Sequence, residues 1–279
     1  MKQLTVSSVE TMSVNAQLVG LTEVEIEKIP IKSVLWKTLN WRAIVAEFVA
    51  TMLLVSLGCM TCIPLDGSAH QPMYGPLGFG LIVVFNIQAF AHISGAHMNP
   101  VVTLSAMIWG QISILLGIAY IIVQCAGAIV GYGILVALSP SSFVTAGVCT
   151  TTPLLKYTIY QAIGIEVMLT AALVFITCAV WDPVNKDSQE SNSVKFGLTI
   201  AGLSLAGGPL TGASMNPARS LGPALWTSTW RSHWIYWVGP FLGGILASVF
   251  YKYVWLKGDK IKPDILTWAD GGDGLTKML

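Results

Sequence analysis

The sequence predicts an all-α membrane protein in which six transmembrane helices and two re-entrant half-helices form an inverted repeat. The chain has 279 residues, of which 54% are hydrophobic and only 10% are charged, whereas soluble domains carry about 25% charged residues. Because this small number of charges cannot cover a water-facing surface, we expect the bilayer to be the solvent. A second observation gives the arrangement: the stretch SGAHMNPVVT at 94–103 returns as TGASMNPARS at 211–220.

Six apolar stretches set the predicted spans. They cover residues 42–62, 74–92, 111–137, 160–181, 194–206 and 232–256. Four of them have the ~20 residues that a spanning helix needs, whereas the second is slightly short and the fifth is shorter still. The repeat, rather than hydropathy alone, supports the fifth span.

The polar composition of both ends divides the chain into three parts. We expect residues 1–38 to form an N-terminal tail and residues 257–279 to form a C-terminal tail. The membrane domain then covers 39–256, with repeat halves at about 39–138 and 158–256.

The repeat extends beyond the Met-Asn-Pro motifs. The tripeptide Phe-Gly-Leu begins at Phe79, 20 residues before Asn99, and again at Phe196, 20 residues before Asn216. Each half contains three spans, an odd number, so the second copy must cross the membrane in the opposite orientation. Inverted repeats are typical of transporters and channels, whose working site lies where the halves meet.

Basic residues predict the orientation of the chain. With both tails in the cytoplasm, only Lys156, Arg219 and Arg231 of the 15 lysines and arginines fall outside. Cytoplasmic loops carry the excess of positive charge, so both termini are predicted to be cytoplasmic. The net charge of +1 gives no indication of nucleic-acid binding.

The segment that follows each Asn-Pro pair is too short to cross a membrane. Residues 99–108 and 216–225 each give about 15 Å of helix, half of a hydrocarbon core of about 30 Å. Asn is a favoured N-cap and Pro a favoured first helical residue. Two half-helices that enter from opposite faces would bring their N-termini together at the midplane. Irregular backbone at that depth requires protein or a watery cavity beside it, which indicates a pore.

The expected chemistry at that meeting point discriminates against cations. Each helix N-terminus carries roughly +0.5 elementary charge, so two facing termini repel cations, including hydronium. The amides of Asn99 and Asn216 would donate to a passing oxygen and orient it, which interrupts proton relay. The alternative is a pair of ordinary helix caps, which does not explain the matched spacings.

The motifs HISGAHMNP (92–100), NPARS (216–220) and HWIYWVGP (233–240) carry a resemblance to a known family. Over residues 39–256 the chain resembles the aquaporin, or major intrinsic protein, family. The resemblance implies a passive channel of the plasma membrane that usually assembles from four protomers, each with its own pore. It implies no catalysis, cofactor or metal. It assigns the pore motifs to Asn99, Pro100 and Val101 in the first half and Asn216, Pro217 and Ala218 in the second.

Val101 departs from the family pattern, in which the first motif is normally Asn-Pro-Ala. Valine is bulkier than alanine but apolar, so we expect it to pack against Pro217 at a small geometric cost.

The same resemblance places the outer constriction, or selectivity filter, at Phe79, Ser204, Ala213 and Arg219. The water-selective branch usually has histidine where this chain has Ser204, and the smaller serine widens the filter beside Phe79. Glycerol channels of the usual branch have aspartate after the arginine, where this chain has Ser220. A water-branch body with an opened filter resembles the insect entomoglyceroporins. It implies water, glycerol and urea as permeants, with a strictly water-selective channel or an adhesion protein as alternatives.

Several of the remaining polar residues of the membrane domain have two interpretations. Arg219 is either a filter cation or an interfacial anchor, and its cost in a membrane favours function. Glu47 and Glu166 are either proton relays or acceptors for the backbone of the re-entrant loops, and their symmetry favours the second role. Gln124 is expected to support them, and His97 to line or brace the cytoplasmic mouth, with a gating role as the alternative.

Cysteine and serine suggest little further chemistry. Cys59 and Cys62 have the spacing of a metal or redox pair, but no second pair accompanies them. Cys149 is alone in a predicted loop, so no disulfide framework is expected. An intramembrane hydrolase that uses Ser214 with His92 or His97 is a weaker alternative. The stretch GASMN at 212–216 lacks the second glycine of a nucleophile elbow.

Overall fold

The computed structural model describes residues 40–64, 73–140 and 142–256. The predicted tails at 1–38 and 257–279 lie outside these residues. Within the described ranges every regular element is helical, as predicted. The helices are α1 (Trp41–Met60), α2 (Tyr74–Ser94), α3 (Pro100–Trp109), α4 (Ile114–Leu138), α5 (Ser142–Thr145), α6 (Ile159–Trp181), α7 (Asn192–Thr211), α8 (Pro217–Thr227) and α9 (Ile235–Phe250). A 3-10 segment (Pro183–Ser191) joins α6 to α7, and a π-helical turn (Tyr251–Trp255) follows α9.

Four of the described helices, α1, α2, α4 and α6, are long and apolar enough to cross a bilayer. The fifth and sixth predicted spans correspond to α7, with 20 residues, and α9, with 16 residues and the π-helical turn after it. The helix α7 is longer than the predicted stretch 194–206, because the segment up to Thr211 stays helical despite its glycines and Pro209.

Polar caps set where three spanning helices begin. The side chains of Asn40, Ser113 and Thr158 accept from backbone N–H groups in the first turns of α1, α4 and α6. Thr158 also forms a capping box with Gln161. These bonds satisfy backbone donors that have no partner inside the helix.

The two halves of the repeat pack in the same way. In the first half α1 lies along α4, and in the second half α6 lies along α9, while α2 and α7 pack on each other between the halves. Glycines permit these close contacts: a Cβ atom at Gly131 would meet the backbone of Met52, and one at Gly243 would meet the backbone of Val167.

A disulfide joins Cys59, in the last turn of α1, to Cys149, 90 residues later, and their Cα atoms are 5.4 Å apart. The expectation that the cysteines form no disulfide framework was therefore wrong. Cys59 lies in an apolar run, which is typical of a thiol that packs as a small buried hydrophobe. The fold brings the loop after α5 over the end of α1, and no local pattern predicts that proximity.

Replacing Gly131 by alanine is expected to destabilise the protein by about 1–3 kcal/mol, because the new methyl group overlaps the α1 backbone. Gly164→Ala in α6 is the matched control, since no atom outside its own helix lies within 4 Å of the place that the new methyl group takes. Thermal unfolding in detergent should show a lower midpoint for Gly131→Ala only. Equal midpoints for both variants would contradict the close contact between α1 and α4.

Candidate functional site

Two short helices begin at the Asn-Pro motifs, as predicted. The helix α3 has 10 residues and α8 has 11, and Pro is the first residue of each. The Asn99 Oδ1 atom accepts from the Val101 N–H at 2.9 Å. The Asn216 Oδ1 atom accepts from the Ala218 and Arg219 N–H groups at 3.1 and 3.2 Å. Both asparagines are therefore N-caps.

The amide nitrogens of the same asparagines join the two halves of the protein. Asn99 Nδ2 donates to the Met215 carbonyl at 2.9 Å, and Asn216 Nδ2 donates to the Met98 carbonyl at 2.8 Å. Each Nδ2 atom carries two hydrogens and the crossed bond uses one of them, so a second N–H per asparagine remains. These crossed bonds fix the plane of each amide and therefore the direction of that remaining N–H.

The loops before the half-helices have matching left-handed backbone conformations. Three residues in each loop have positive φ angles, and these angles agree closely: Gly95 and Gly212 at 88°, Ala96 at 48° and Ala213 at 46°, Met98 at 51° and Met215 at 52°. A positive φ costs about 1–3 kcal/mol at a residue other than glycine and persists only where the surroundings impose it.

A buried carboxylate holds the first of these loops. Glu47 accepts from the N–H of His97 at 2.8 Å and of Met98 at 2.7 Å, and from the Ser94 hydroxyl at 2.8 Å. Gln124 donates to the same carboxylate at 2.8 Å. Both oxygens of Glu47 are occupied by these donors, which supports the interpretation of Glu47 and Gln124 as structural residues.

The second loop is held in the same way by Glu166. This carboxylate accepts from the N–H groups of Ser214 and Met215, both at 3.0 Å, and from the Thr211 hydroxyl at 2.6 Å. Like Glu47, Glu166 has no exposed surface. Neither glutamate lines the cavity that runs past the two asparagines, so both act from behind the wall of that cavity.

Val101 packs into a small apolar cluster with Val174, Cys178 and Ala247. Its methyl group occupies the space that Gly244 leaves, since a Cβ atom there would overlap Val101 Cγ1. The glycine in α9 therefore accommodates the larger residue of the first motif. A contact between Val101 and Pro217 remains a prediction.

A cavity of about 880 Å³ runs past both asparagines. The predicted filter residues Phe79, Ser204, Ala213 and Arg219 all line it, as does His97. The other motif residues, Pro100, Val101, Pro217 and Ala218, do not line it. Residues that the sequence assigned to two separate halves therefore line one cavity.

Arg219 is held by a loop that was not predicted to belong to the site. Its Nη1 atom donates to the Cys149 carbonyl at 2.7 Å, and its Nη2 atom lies 3.5 Å from Cys149 Sγ. The guanidinium carbon also lies 4.9 Å from the centre of the Phe79 ring. A main-chain carbonyl has no side-chain signature, so no sequence pattern could have indicated this contact.

His97 also lines the cavity, and its ring centre lies 6.1 Å from that of Trp181. Its Nδ1 atom is 3.2 Å from the Thr103 hydroxyl, and its ring meets the Tyr120 ring edge-on at 5.5 Å. The side chain is therefore fixed by α3 and α4 while one face lines the cavity.

The hydroxyl of Ser214 is bonded to the Ser220 hydroxyl at 2.6 Å and to the Asn216 carbonyl at 3.1 Å. Its hydrogen-bond partners within the described residues include neither His92 nor His97. Ser220 itself is buried and also accepts from Thr151 at 2.9 Å.

A family model described as "Major intrinsic protein" matches residues 34–251. The chain belongs to the major intrinsic protein family. It is 40% identical to aquaporin-4 of Mus musculus over 231 residues, which cover 81% of this chain and 71% of that protein. It is 36% identical to aquaporin-1 of Canis lupus familiaris over 253 residues, which cover 84% of this chain and 90% of that protein.

The fold is similar to that in the X-ray structure of the aquaglyceroporin from Plasmodium falciparum, with a TM-score of 0.69 and 24% identity. That similarity covers 77% of this chain and 96% of the other. Aquaporins are multi-pass membrane channels for water and small solutes, so this chain is a passive channel and not an enzyme. The alternative of an intramembrane hydrolase was therefore wrong.

Gly244→Ala is expected to lower stability by about 1–3 kcal/mol because its methyl group overlaps Val101. Val101→Ala removes that overlap and restores the family's usual Asn-Pro-Ala motif. A double-mutant cycle measured by thermal unfolding should therefore give a favourable coupling of about 1 kcal/mol or more. Additive effects of the two substitutions would show that the residues do not share this space.

Proposed function

We propose that this chain is a pore for water, glycerol and urea that excludes protons and ions. The observation that carries the proposal is the composition of the cavity wall: Ser204 and Ala213 line the same cavity as Phe79 and Arg219. Two small residues leave width that a histidine at Ser204 would fill.

The wall offers glycerol both of the surfaces that it needs. Phe79 provides an apolar face for the carbon chain, whereas the Arg219 guanidinium and the Ser204 hydroxyl bind hydroxyl groups. Urea is smaller and presents a carbonyl oxygen to the same donors. A strictly water-selective channel is the alternative, favoured by the overall similarity to aquaporin-4 and aquaporin-1.

Ion exclusion follows from charges that are fixed in the wall. The N-termini of α3 and α8 meet through the crossed asparagine bonds, so their partial positive charges face the same region. Arg219 adds a full positive charge in the same cavity. Cations entering the pore are repelled, and the oriented N–H groups interrupt chains of hydrogen-bonded water.

The disulfide supports the proposed orientation in the plasma membrane. Disulfides persist in oxidising surroundings, so the mouth that contains Cys59 and Cys149 faces outward. Six spans then place both termini in the cytoplasm, in agreement with the positive charges. We also propose a homotetramer in the lipid bilayer, as the family resemblance implies, which native mass spectrometry of the detergent-solubilised protein tests.

Ser204→His should reduce glycerol permeability by about tenfold or more, because the imidazole fills the wall beside Phe79. Water permeability should be largely retained. Ser204→Ala is the matched control, since it removes the hydroxyl but keeps the width, and it should retain most glycerol uptake. Swelling and uptake assays at equal surface expression measure both. A native channel that excludes glycerol, or unchanged uptake in Ser204→His, would refute the filter assignment.

Asn216→Asp should lower water permeability and introduce a cation leak, because a carboxylate replaces the amide donor between the half-helices. Burial will resist its ionisation, so the leak should increase with pH. Asn185→Asp, at an exposed position outside the cavity wall, controls for the added charge. Electrical recording and swelling assays on correctly folded protein distinguish the outcomes, and native selectivity in Asn216→Asp would remove Asn216 from the pore.

A further inference from the structure

The last turn of α1 lies against the proposed filter. A Cβ atom at Gly58 would lie 2.6 Å from Cε1 and 2.8 Å from Cδ1 of the Phe79 ring. The absence of a side chain at Gly58 therefore determines how far the ring can withdraw from the lumen. The next residue along the chain, Cys59, forms the disulfide with Cys149.

The disulfide is also connected to the filter residue Arg219, through the carbonyl of Cys149. Cys149 accepts from Arg219 Nη1 with its carbonyl at 2.7 Å, and Cys149 has a positive φ of 67°. That conformation is costly for a residue with a side chain and needs external restraint. The covalent bond to Cys59 supplies a restraint, so it helps to keep the carbonyl where Arg219 binds it.

We propose that the Cys59–Cys149 disulfide is a specificity-determining element of this channel, which positions Arg219 through the carbonyl of Cys149. The neighbouring Gly58 seats Phe79, so one helical turn positions two members of the filter. This inference rests on the filter assignment in the proposed function. The cysteines are positioning residues, since Arg219 and Phe79 are the groups that meet the solute.

Loss of the disulfide has a predictable direction. Without the restraint, Cys149 relaxes from its left-handed conformation and its carbonyl moves away from Arg219. The Phe79 ring, 4.9 Å from the guanidinium carbon, then remains as an attractive partner. The guanidinium therefore moves toward the ring and narrows the lumen. Glycerol needs more width than water, so the ratio of glycerol to water permeability falls.

A third cysteine, Cys62, lines the same cavity. Its thiol limits which variants can test the role of the disulfide. Replacing Cys149 alone would leave Cys59 free to pair with Cys62, so both bonded cysteines must be replaced together.

The test compares full-length native protein, Cys59→Ser/Cys149→Ser and Cys125→Ser in proteoliposomes. A phosphine on both sides of the membrane reduces the disulfide to two thiols and is itself oxidised, with water, to the phosphine oxide. Mass spectrometry of alkylated peptides verifies the reduction. Cys125 is a free cysteine in α4 that does not line the cavity, so Cys125→Ser controls for cysteine replacement.

We expect reduction to lower the glycerol-to-water ratio of the native channel by about threefold or more. The double variant should have the low ratio from the start and should not respond to phosphine, whereas Cys125→Ser should behave as the native protein does. An unchanged or increased ratio after verified reduction overturns the inference while leaving glycerol permeation intact. If the unreduced native channel excludes glycerol, the proposed function fails and the inference is judged on water permeability, which must fall on reduction.

Reduction of the native protein tests the disulfide even if the double variant does not fold, and Gly58→Ala tests the seating of Phe79 separately. Alanine favours helix over glycine, so this change does not weaken α1 itself. Its methyl group pushes the Phe79 ring toward the lumen while the disulfide stays intact, so the glycerol-to-water ratio should again fall. A native ratio in Gly58→Ala would overturn the role of this turn in seating Phe79.

Discussion

The pore depends on backbone N–H groups that have to be satisfied inside a membrane. The re-entrant loops contain left-handed residues that no helix ladder can pair, and an unsatisfied N–H in hydrocarbon costs several kcal/mol. Glu47 and Glu166 supply the missing acceptors, two N–H groups each. The half-helices can begin at the midplane only because these carboxylates are buried behind them, and the asparagines are oriented only because the half-helices begin there.

The backbone of the site is nearly symmetric, whereas its side chains are not. The position that corresponds to Arg219 in the first half is Val102, and both residues line the cavity. At this position the wall beside the second motif therefore carries a fixed charge, whereas the wall beside the first motif carries an apolar side chain. In the proposed function, selection of solutes belongs to the half that contains Arg219, whereas the asparagine pair is nearly symmetric.

The half-helices and their buried glutamates could be predicted from the sequence because the responsible patterns are local or repeated, whereas the filter positions came from the family resemblance. Asn before Pro identifies a helix start wherever it occurs, and similar offsets from the two motifs paired Glu47 with Glu166. Two features could not be predicted: the Cys59–Cys149 disulfide and the Cys149 carbonyl that binds Arg219. Both depend on where a loop of irregular backbone lies against a helix 90 residues earlier, and neither hydropathy nor spacing encodes that contact.

In the proposed filter, the width that Ser204 provides is useful only if Arg219 remains at the wall. A long guanidinium side chain has enough rotamers to occupy the same space, and holding it in one of them costs up to about 2 kcal/mol in conformational entropy. The bond to a main-chain carbonyl offsets that cost, but only while the carbonyl itself is fixed. An opened filter thus requires two elements, a small residue on one side and a restrained arginine on the other. The second cannot be recognised from the filter residues alone.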